Sequence, residues 1–384
     1  MPDLHIITAR RTPQGRFLGA LAKHSSVDLA AAAGEAMLAD IDRTAIDQLI
    51  LGSVLTAGQG MNIARQLAVR LNLPIETPAF TVNMMCASGL QAVALAAQAI
   101  RAGDANVVLC GGTESMSNAP HLLQRSRRGY KLGDGQLVDS LLRDGLIDSF
   151  DHQHMAETAE RLAQQQSITR DAQDAYAAQS QQRYAEAHAA GRFIDELVEL
   201  DDLAHDEHPR PDTTPDTLAT LKPAFRADGT VTAGNAAGIN DGAAMLLVCD
   251  ADTAQRHGWQ PLARITAWTT RGCDPKVMGL GPVHATQQLC QRMNCALDTF
   301  DTIELNEAFA AQTLACLQQM NLAPDAAHVN PDGGAIALGH PIGASGARLV
   351  THLAHRIARG DTQRGLATLC VGGGMGGAMA VERM

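Results

Sequence analysis

From residue 1 to about residue 115, short apolar runs of extended character alternate with stretches whose apolar residues recur at helical spacing. LHIITA at 4–9, QLILGSVL at 48–55, AFTVNM at 79–84 and ANVVLCGG at 105–112 read as strands. HSSVDLAAAAGEAMLAD at 24–40 and MNIARQLAVRLNL at 61–73 read as helices. Alternation of this kind predicts an α/β domain with a mostly parallel sheet carrying helices. The pattern breaks near Ser115. HLLQRSRRGYKLGDGQLVDSLLRDGL at 121–146 is basic, Gly-punctuated and without a clear period, so it reads as an excursion. Two helical stretches follow, HMAETAERLAQQQ at 154–166 and ITRDAQDAYAAQSQQRYAEAHAAGRF at 168–193, the second with Thr169 as N-cap and Gly191 as stop. DDLAHDEHPRPDTTPDT at 201–217 is polar and Pro-broken, a surface loop by composition. Alternation resumes with AAMLLVCD at 243–250, LARITAWTT at 262–270, DTIELNEAF at 301–309 and LATLCVGGG at 366–374.

The two alternating stretches share a repeat. SGLQAVALAAQAIRAGD at 88–104 aligns without gaps on SGARLVTHLAHRIARGD at 345–361. The identical pairs are Ser88/Ser345, Gly89/Gly346, Val93/Val350, Ala97/Ala354, Ile100/Ile357, Gly103/Gly360 and Asp104/Asp361. LCGG at Leu109 has its counterpart in LCVGG at Leu369. The economical reading is two similar α/β halves with a helix- and loop-rich insertion in the first. The boundaries that follow are 1–115 plus 244–262 for the first half, 116–243 for the insertion and 263–384 for the second half.

The first copy of the repeat is preceded by Cys86, which the pattern places at the start of a helix with Ser88 as N-cap and Gly103 as stop. Unpaired N–H groups and the helix dipole at such a site favour thiolate over thiol. Taken alone, a free cysteine is more often a small buried hydrophobe. Three other segments change those odds. In LNEAF at 305–309, Asn306 is a candidate N-cap and, compatibly, a polar site group. In NPDGGAIALGHPIGASG at 330–346, His340 precedes Pro341 among glycines, a setting for a base that titrates near neutrality. In LCVGGGMGG at 369–377, Cys370 precedes a glycine cluster. Gly372, Gly374 and Gly377 formally satisfy GxGxxG, but only AMAVERM follows, too little for the helix and second strand of a dinucleotide site.

Composition excludes several classes. Eight cysteines among 384 residues include no CxxC pair, which argues against a disulfide scaffold and a metal site and suits reduced thiols in the cytoplasm. A formal net charge of −11 offers no nucleic-acid footprint. No apolar run approaches a membrane span, and the N-terminal segment reads as a strand rather than a signal peptide.

VNMMCASGL, NEAFAAQ, NPDGGAIALGHPIGASGAR and LCVGGGMG, with RTPQGRF near the start and GTVTAGNAAGINDGAA at 229–244, together resemble the thiolase family over essentially the whole chain. The resemblance implies a layered αβαβα fold of two similar halves with an inserted loop domain. It implies a Claisen enzyme in which Cys86 carries the acyl group, His340 takes the thiol proton, and Cys370 handles the α-proton of a second acetyl-CoA. Asn306 would hold a water at the enolate oxygen, and the N–H groups of Cys86 and Gly372 would form the oxyanion hole. By the same resemblance Leu146, His154, Met155, Ala237, Met278, Ala308 and Phe309 would line the pantetheine and acyl pocket, and Arg210 and Thr217 would meet the adenosine phosphate region of coenzyme A. The stretch GYKLGDGQLVDSLLRDGL followed by HM looks like the short-chain, biosynthetic branch. That branch implies acetyl-CoA, acetoacetyl-CoA and CoA as substrates and products, no metal or further cofactor, and a homotetramer with a contact in the excursion. Ala87, Ala237 and Met375 stand where glycine, serine and glutamine are usual, which bears on chain length and CoA affinity. A degradative 3-ketoacyl-CoA thiolase would carry the same residues. A ketosynthase would usually place histidine at position 370, and a non-catalytic acyl-CoA binder would not need two reactive thiols.

Overall fold

The computed structural model describes residues 2–384. Its strands are β1 Leu4–Arg11, β2 Gly15–Arg16, β3 Gln48–Gly52, β4 Ala79–Val82, β5 Val107–Ser115, β6 His121–Leu123, β7 Leu137–Asp139, β8 Asn240–Asp250, β9 Ala263–Gly272, β10 Thr302–Leu305, β11 Arg364–Val371 and β12 Met375–Glu382. The helices are α1 Ser26–Met37, α2 Ile63–Arg70, α3 Ser88–Ala102, α4 Met155–Gln165, α5 Arg170–Ala189, α6 Pro215–Ala219, α7 Ala251–His257, α8 Gly281–Met293, α9 Ala310–Gln319, α10 Ala335–Leu338 and α11 Ile342–Arg359. No helix among the described residues is long and apolar enough to cross a membrane.

One continuous run of strands orders them β10-β11-β12-β9-β1-β8-β5-β3-β4, with β2 on β8, while β6 and β7 form a separate hairpin. The strand order is nearly symmetric about the β9–β1 junction. β3, β5, β8 and β1 of one half correspond to β10, β11, β12 and β9 of the other, and a parallel bridge from Ile303 to Val329 stands where β4 pairs with β3. The expected parallel sheet is in fact mixed. β3 pairs in parallel with β4 and β5, and β10 with β11, but β8 and β12 run antiparallel to both neighbours. The reason is local: β11 and β12 are joined through Gly372–Gly374, with Gly373 and Gly374 at positive φ, and so short a link admits only an antiparallel partner.

Alternation along each strand sorts side chains to two faces. On β8, Ala244, Leu246 and Val248 join the core around α3 and α11, while Ala243, Met245, Leu247 and Cys249 join a second core under α1 and α2. A third core lies between α8, α9 and the second half's strands. The layers are therefore helix, sheet, helix, sheet, helix, with α3 and α11 in the middle. Both helices end alike. Gly103 and Gly360 adopt φ 82° and 87°, and Asp104 and Asp361 donate back to Ala99 and Arg356, so the shared Gly-Asp ends are matching Schellman caps.

The insertion is anchored by buried charge. Arg11 of β1 lies fully buried between Glu196 and Asp206, and His352 of α11 is held between Glu196 at 2.8 Å and Asp332 at 3.1 Å. Burial pulls the His352 imidazole down, but its carboxylate partners outweigh this and raise it to about 9. Asp206 thus belongs to the interior, although it falls in the stretch whose composition reads as surface loop. Thr169 caps α5 by accepting from Ala172, in line with the sequence pattern.

Candidate active site

Cys86 sits on a turn between β4 and α3. Met85 takes φ 48°, the left-handed region, and turns the chain so that Cys86 faces a cavity of about 350 Å³. Ser88 is not the N-cap. That position falls to Ala87, which makes no side-chain capping bond, while the Ser88 hydroxyl accepts from Met84 N–H at 2.9 Å and donates to the Met85 carbonyl at 2.7 Å. Nor is the resting thiol acidified. Burial pushes Cys86 up to about 11, the Glu114 carboxylate adds to the rise, and donation from the N–H groups of Gly372 and of Cys86 itself offsets only part of it. The helix N-terminus on its own does not yield a thiolate here, so the nucleophile needs a base.

The base candidate lines the same cavity. Asn240 fixes the loop by accepting from His340 N–H at 3.0 Å. The imidazole Nδ1 lies 2.6 Å from the Ser345 hydroxyl, and its Nε2 is buried with no hydrogen-bond partner. Burial, with a smaller contribution from Arg348, lowers His340 to about 4, so the ring is neutral at physiological pH. Cys370, at the end of β11, is 1% exposed, lines the cavity, and has a thiol pushed well above its ordinary value by burial and by Cys86. The resting trio is therefore two neutral thiols and a neutral imidazole.

Leu146, His154, Met155, Ala237, Met278, Ala308 and Phe309 all line this cavity, as does Gly372. His154 caps α4 by accepting from Ala156 N–H and stacks on Phe225 at 4.5 Å. Asn306 stands behind the wall rather than in it. It does not cap α9, whose N-cap is Phe309, and both side-chain amide atoms are buried without a protein partner. Arg210 and Thr217 are not brought to the cavity. Both are exposed; Thr217 is committed to the capping box of α6 with Thr214, and Arg210 is tied by its backbone N–H to Gln181.

Several wall residues escape the sequence pattern. Met116, Leu142, Phe225 and Ile342 come from four separate segments with no common spacing. Glu114 carried a visible signal, an acid on an otherwise uncharged strand. It is fully buried and accepts from Ser53 Oγ and from the N–H groups of Val54, Leu55 and Gly343, joining the β3 end to the start of α11. Burial raises it to about 7 against the effect of those donors.

A fold of two related α/β halves, with two thiols and an imidazole on one buried cavity, defines an acyltransferase of the thiolase class. The chain belongs to the thiolase family: the model for the thiolase N-terminal domain matches residues 4–252 and that for the C-terminal domain residues 259–383. Among named relatives, the acetyl-CoA acetyltransferase of Chromobacterium violaceum is 48% identical over 99% of this chain and 100% of its own, and that of Pseudomonas aeruginosa 48% identical over 100% of each. Among solved structures, human mitochondrial 3-ketoacyl-CoA thiolase matches with a TM-score of 0.97 at 40% identity, covering 100% of this chain and 99% of that one.

Proposed function

We propose that the protein is an acetyl-CoA acetyltransferase, reversibly joining two acetyl-CoA into acetoacetyl-CoA and CoA through an acetyl-Cys86 intermediate. The observation that carries this reading is the single cavity where Cys86, Cys370 and the partnerless Nε2 of His340 meet. Nε2 takes the Cys86 proton as the sulfur attacks the thioester carbonyl, and the N–H groups of Cys86 and Gly372, already directed at that sulfur, hold the developing oxyanion. Cys370 gives its proton to the departing CoA sulfur. The thiolate so formed, made strongly basic by burial, takes the α-proton of the second acetyl-CoA. The enolate oxygen accepts from the protonated His340, and the amide of Asn306, buried behind the wall without a protein partner, would hold a water for it. Attack of the enolate on acetyl-Cys86 releases the Cys86 sulfur, which recovers its proton from His340. No other cofactor or metal is needed for these steps.

Pantetheine enters along the apolar wall, and Arg210, exposed on the insertion, is free to meet a phosphate outside it. Short acyl groups fit a cavity closed by Met155, Met278 and Phe225. The structural likeness to 3-ketoacyl-CoA thiolase supports a second reading, cleavage of longer 3-ketoacyl-CoA in degradation. Two apolar surfaces support a dimer of dimers. One lies near edge strand β4, with Met61, Val69, Ile75 and Phe80 exposed; the other is the β6–β7 hairpin, with Leu123, Leu132 and Leu137 exposed. Eight free cysteines are in keeping with a reducing cytoplasm.

Mass spectrometry after mixing with acetyl-CoA should find one acetyl group on Cys86, and Cys86→Ala should lose both the adduct and turnover. An unmodified Cys86 would reject the mechanism. A preference for cleaving a long-chain 3-ketoacyl-CoA over acetoacetyl-CoA would select the second reading.

A further inference from the structure

We propose that Ser88 and Ser345, which occupy the same place in the internal repeat, are paired positioning residues: Ser345 sets the tautomer of the base His340, and Ser88 holds the turn that presents Cys86. The inference rests on the proposed acyl transfer through Cys86 and says how each half of the molecule aims its reacting group.

The Ser345 hydroxyl has one proton and two neighbours, the Pro341 carbonyl at 2.9 Å and His340 Nδ1 at 2.6 Å. The carbonyl can only accept, so both contacts are hydrogen bonds together in one arrangement alone, with Oγ donating to the carbonyl and accepting from Nδ1. Nδ1 therefore carries the imidazole proton and Nε2 carries the lone pair. Nε2 is the nitrogen that is buried without a partner at the cavity holding Cys86. A ring with the opposite tautomer would present an N–H to the thiol and have no base to offer.

Ser88 makes the corresponding pair of bonds on the other loop. Its Oγ donates to the Met85 carbonyl and accepts from the Met84 N–H. Between those groups lies Met85 at φ 48°, a left-handed conformation that a non-glycine residue keeps only when its surroundings enforce it. Both serines are buried, at 0% and 1% exposure. Back-bonding of a helical serine to a carbonyl three or four residues earlier is common and accounts for one bond at each site. It does not account for the second, in which each hydroxyl accepts from the very loop that bears the nucleophile or the base.

The same residue serves two ends because the helices begin differently. α3 starts at Ser88, whereas α11 starts at Ile342, three residues before Ser345. The extra turn in the second copy places the serine beside a ring instead of beside a backbone turn.

The experiment compares Ser345→Ala, Ser345→Thr and Ser88→Ala with the unaltered full chain in two reactions: single-turnover acetylation of Cys86 by acetyl-CoA, and alkylation of Cys86 by iodoacetamide across pH. Ser345→Ala should lower acetylation at pH 7 by about tenfold or more, a part of what a positioned base supplies. KM for acetyl-CoA should stay within about twofold. Its alkylation deficit should close as pH rises toward about 11, where the thiol ionises unaided. Ser345→Thr, which keeps the hydroxyl, should restore most of the rate. Ser88→Ala should slow both reactions, with a deficit that persists at high pH, because the sulfur itself is misplaced. Acetylation by Ser345→Ala within about twofold of the unaltered chain overturns the proposal. So does a Ser345→Ala alkylation deficit that does not change with pH, which marks that serine as merely structural. Nitrogen-15 histidine NMR of the unaltered protein tests the tautomer without relying on the folding of any variant: a proton on Nε2 of His340 would refute the assignment. If the unaltered chain alkylates but does not acetylate, the acyl-transfer reading fails, while the alkylation profiles still judge the serines.

Discussion

At the residue scale, the site couples a reluctant acid to a weak base. A free imidazole gains its proton near pH 6.5, but burial holds His340 down to about 4, so its lone pair stays available well into the acid range. Protonation of Glu114 near pH 7 removes a negative charge that raises the Cys86 thiol, so it eases proton removal and does not mimic loss of the base. The rate of Cys86 acetylation should therefore hold nearly level from pH 8 down to about 5 and fall only toward 4. A tenfold-per-unit fall setting in at 6.5 would show that His340 titrates normally and is not the buried base described above. Asn306 makes a related point about reading residues singly: its sequence position suggests a cap, yet its amide is left without a protein partner, a cost that a structural role would not explain.

At the element scale, the repeat accounts for more than ancestry. α3 and α11 cross at their first turns so closely that a Cβ on Gly89 would stand 2.8 Å from the Ala347 nitrogen, and one on Gly346 would stand 2.6 Å from the Leu90 nitrogen. The shared Ser-Gly start thus has a physical reason in each half: the serine ties a loop and the glycine admits the partner helix. β5 joins the same crossing, since a Cβ on Gly112 would reach within 2.1 Å of the Gly343 carbonyl oxygen. The obstacle in each case is backbone, which cannot swing aside. Gly89→Ala should cost about 1–3 kcal/mol in urea unfolding, as overpacking of a filled interior does. It should also slow Cys86 acetylation, because α11 carries Ser345 and follows directly on His340. Unchanged unfolding would mean that the helices separate more easily than this crossing implies.

At the scale of the whole molecule, the insertion is fixed from within and leaves apolar surface outside. Arg11, Glu196, Asp206, His352 and Asp332 connect the insertion to a strand of the first half and a helix of the second. Severing such a network by removing one partner leaves an unpaired buried charge, which makes the three parts behave as one unit. The leucines of the β6–β7 hairpin stand out to solvent; Leu132 is 98% exposed and Leu137, paired across the hairpin with Leu123, 67%. In sedimentation experiments, replacing both Leu132 and Leu137 with Asp should turn the proposed tetramer into dimers while acetylation of Cys86 persists. A particle of unchanged mass would place the contact elsewhere.

The sequence alone made legible most of the core strand and helix segments and the repeat, and it singled out the two cysteines and the histidine that share one cavity, because these depend on local periodicity, on turn chemistry and on motifs whose residues are near one another along the chain. Helix ends such as Thr169 and Gly103 were legible for the same reason. Tertiary structure decided the rest. β8 is antiparallel to β1 and β5, neighbours it finds across the fold, and Asp206 is interior because Arg11 lies opposite it. Cys86 is a protonated thiol because desolvation by the surrounding wall outweighs the pull of its helix end, a balance that no local pattern reports. The proposed His340 tautomer rests on a serine five residues away that also meets the Pro341 carbonyl. Periodicity and motif name the groups; burial and the direction of each hydrogen bond determine which proton each group holds.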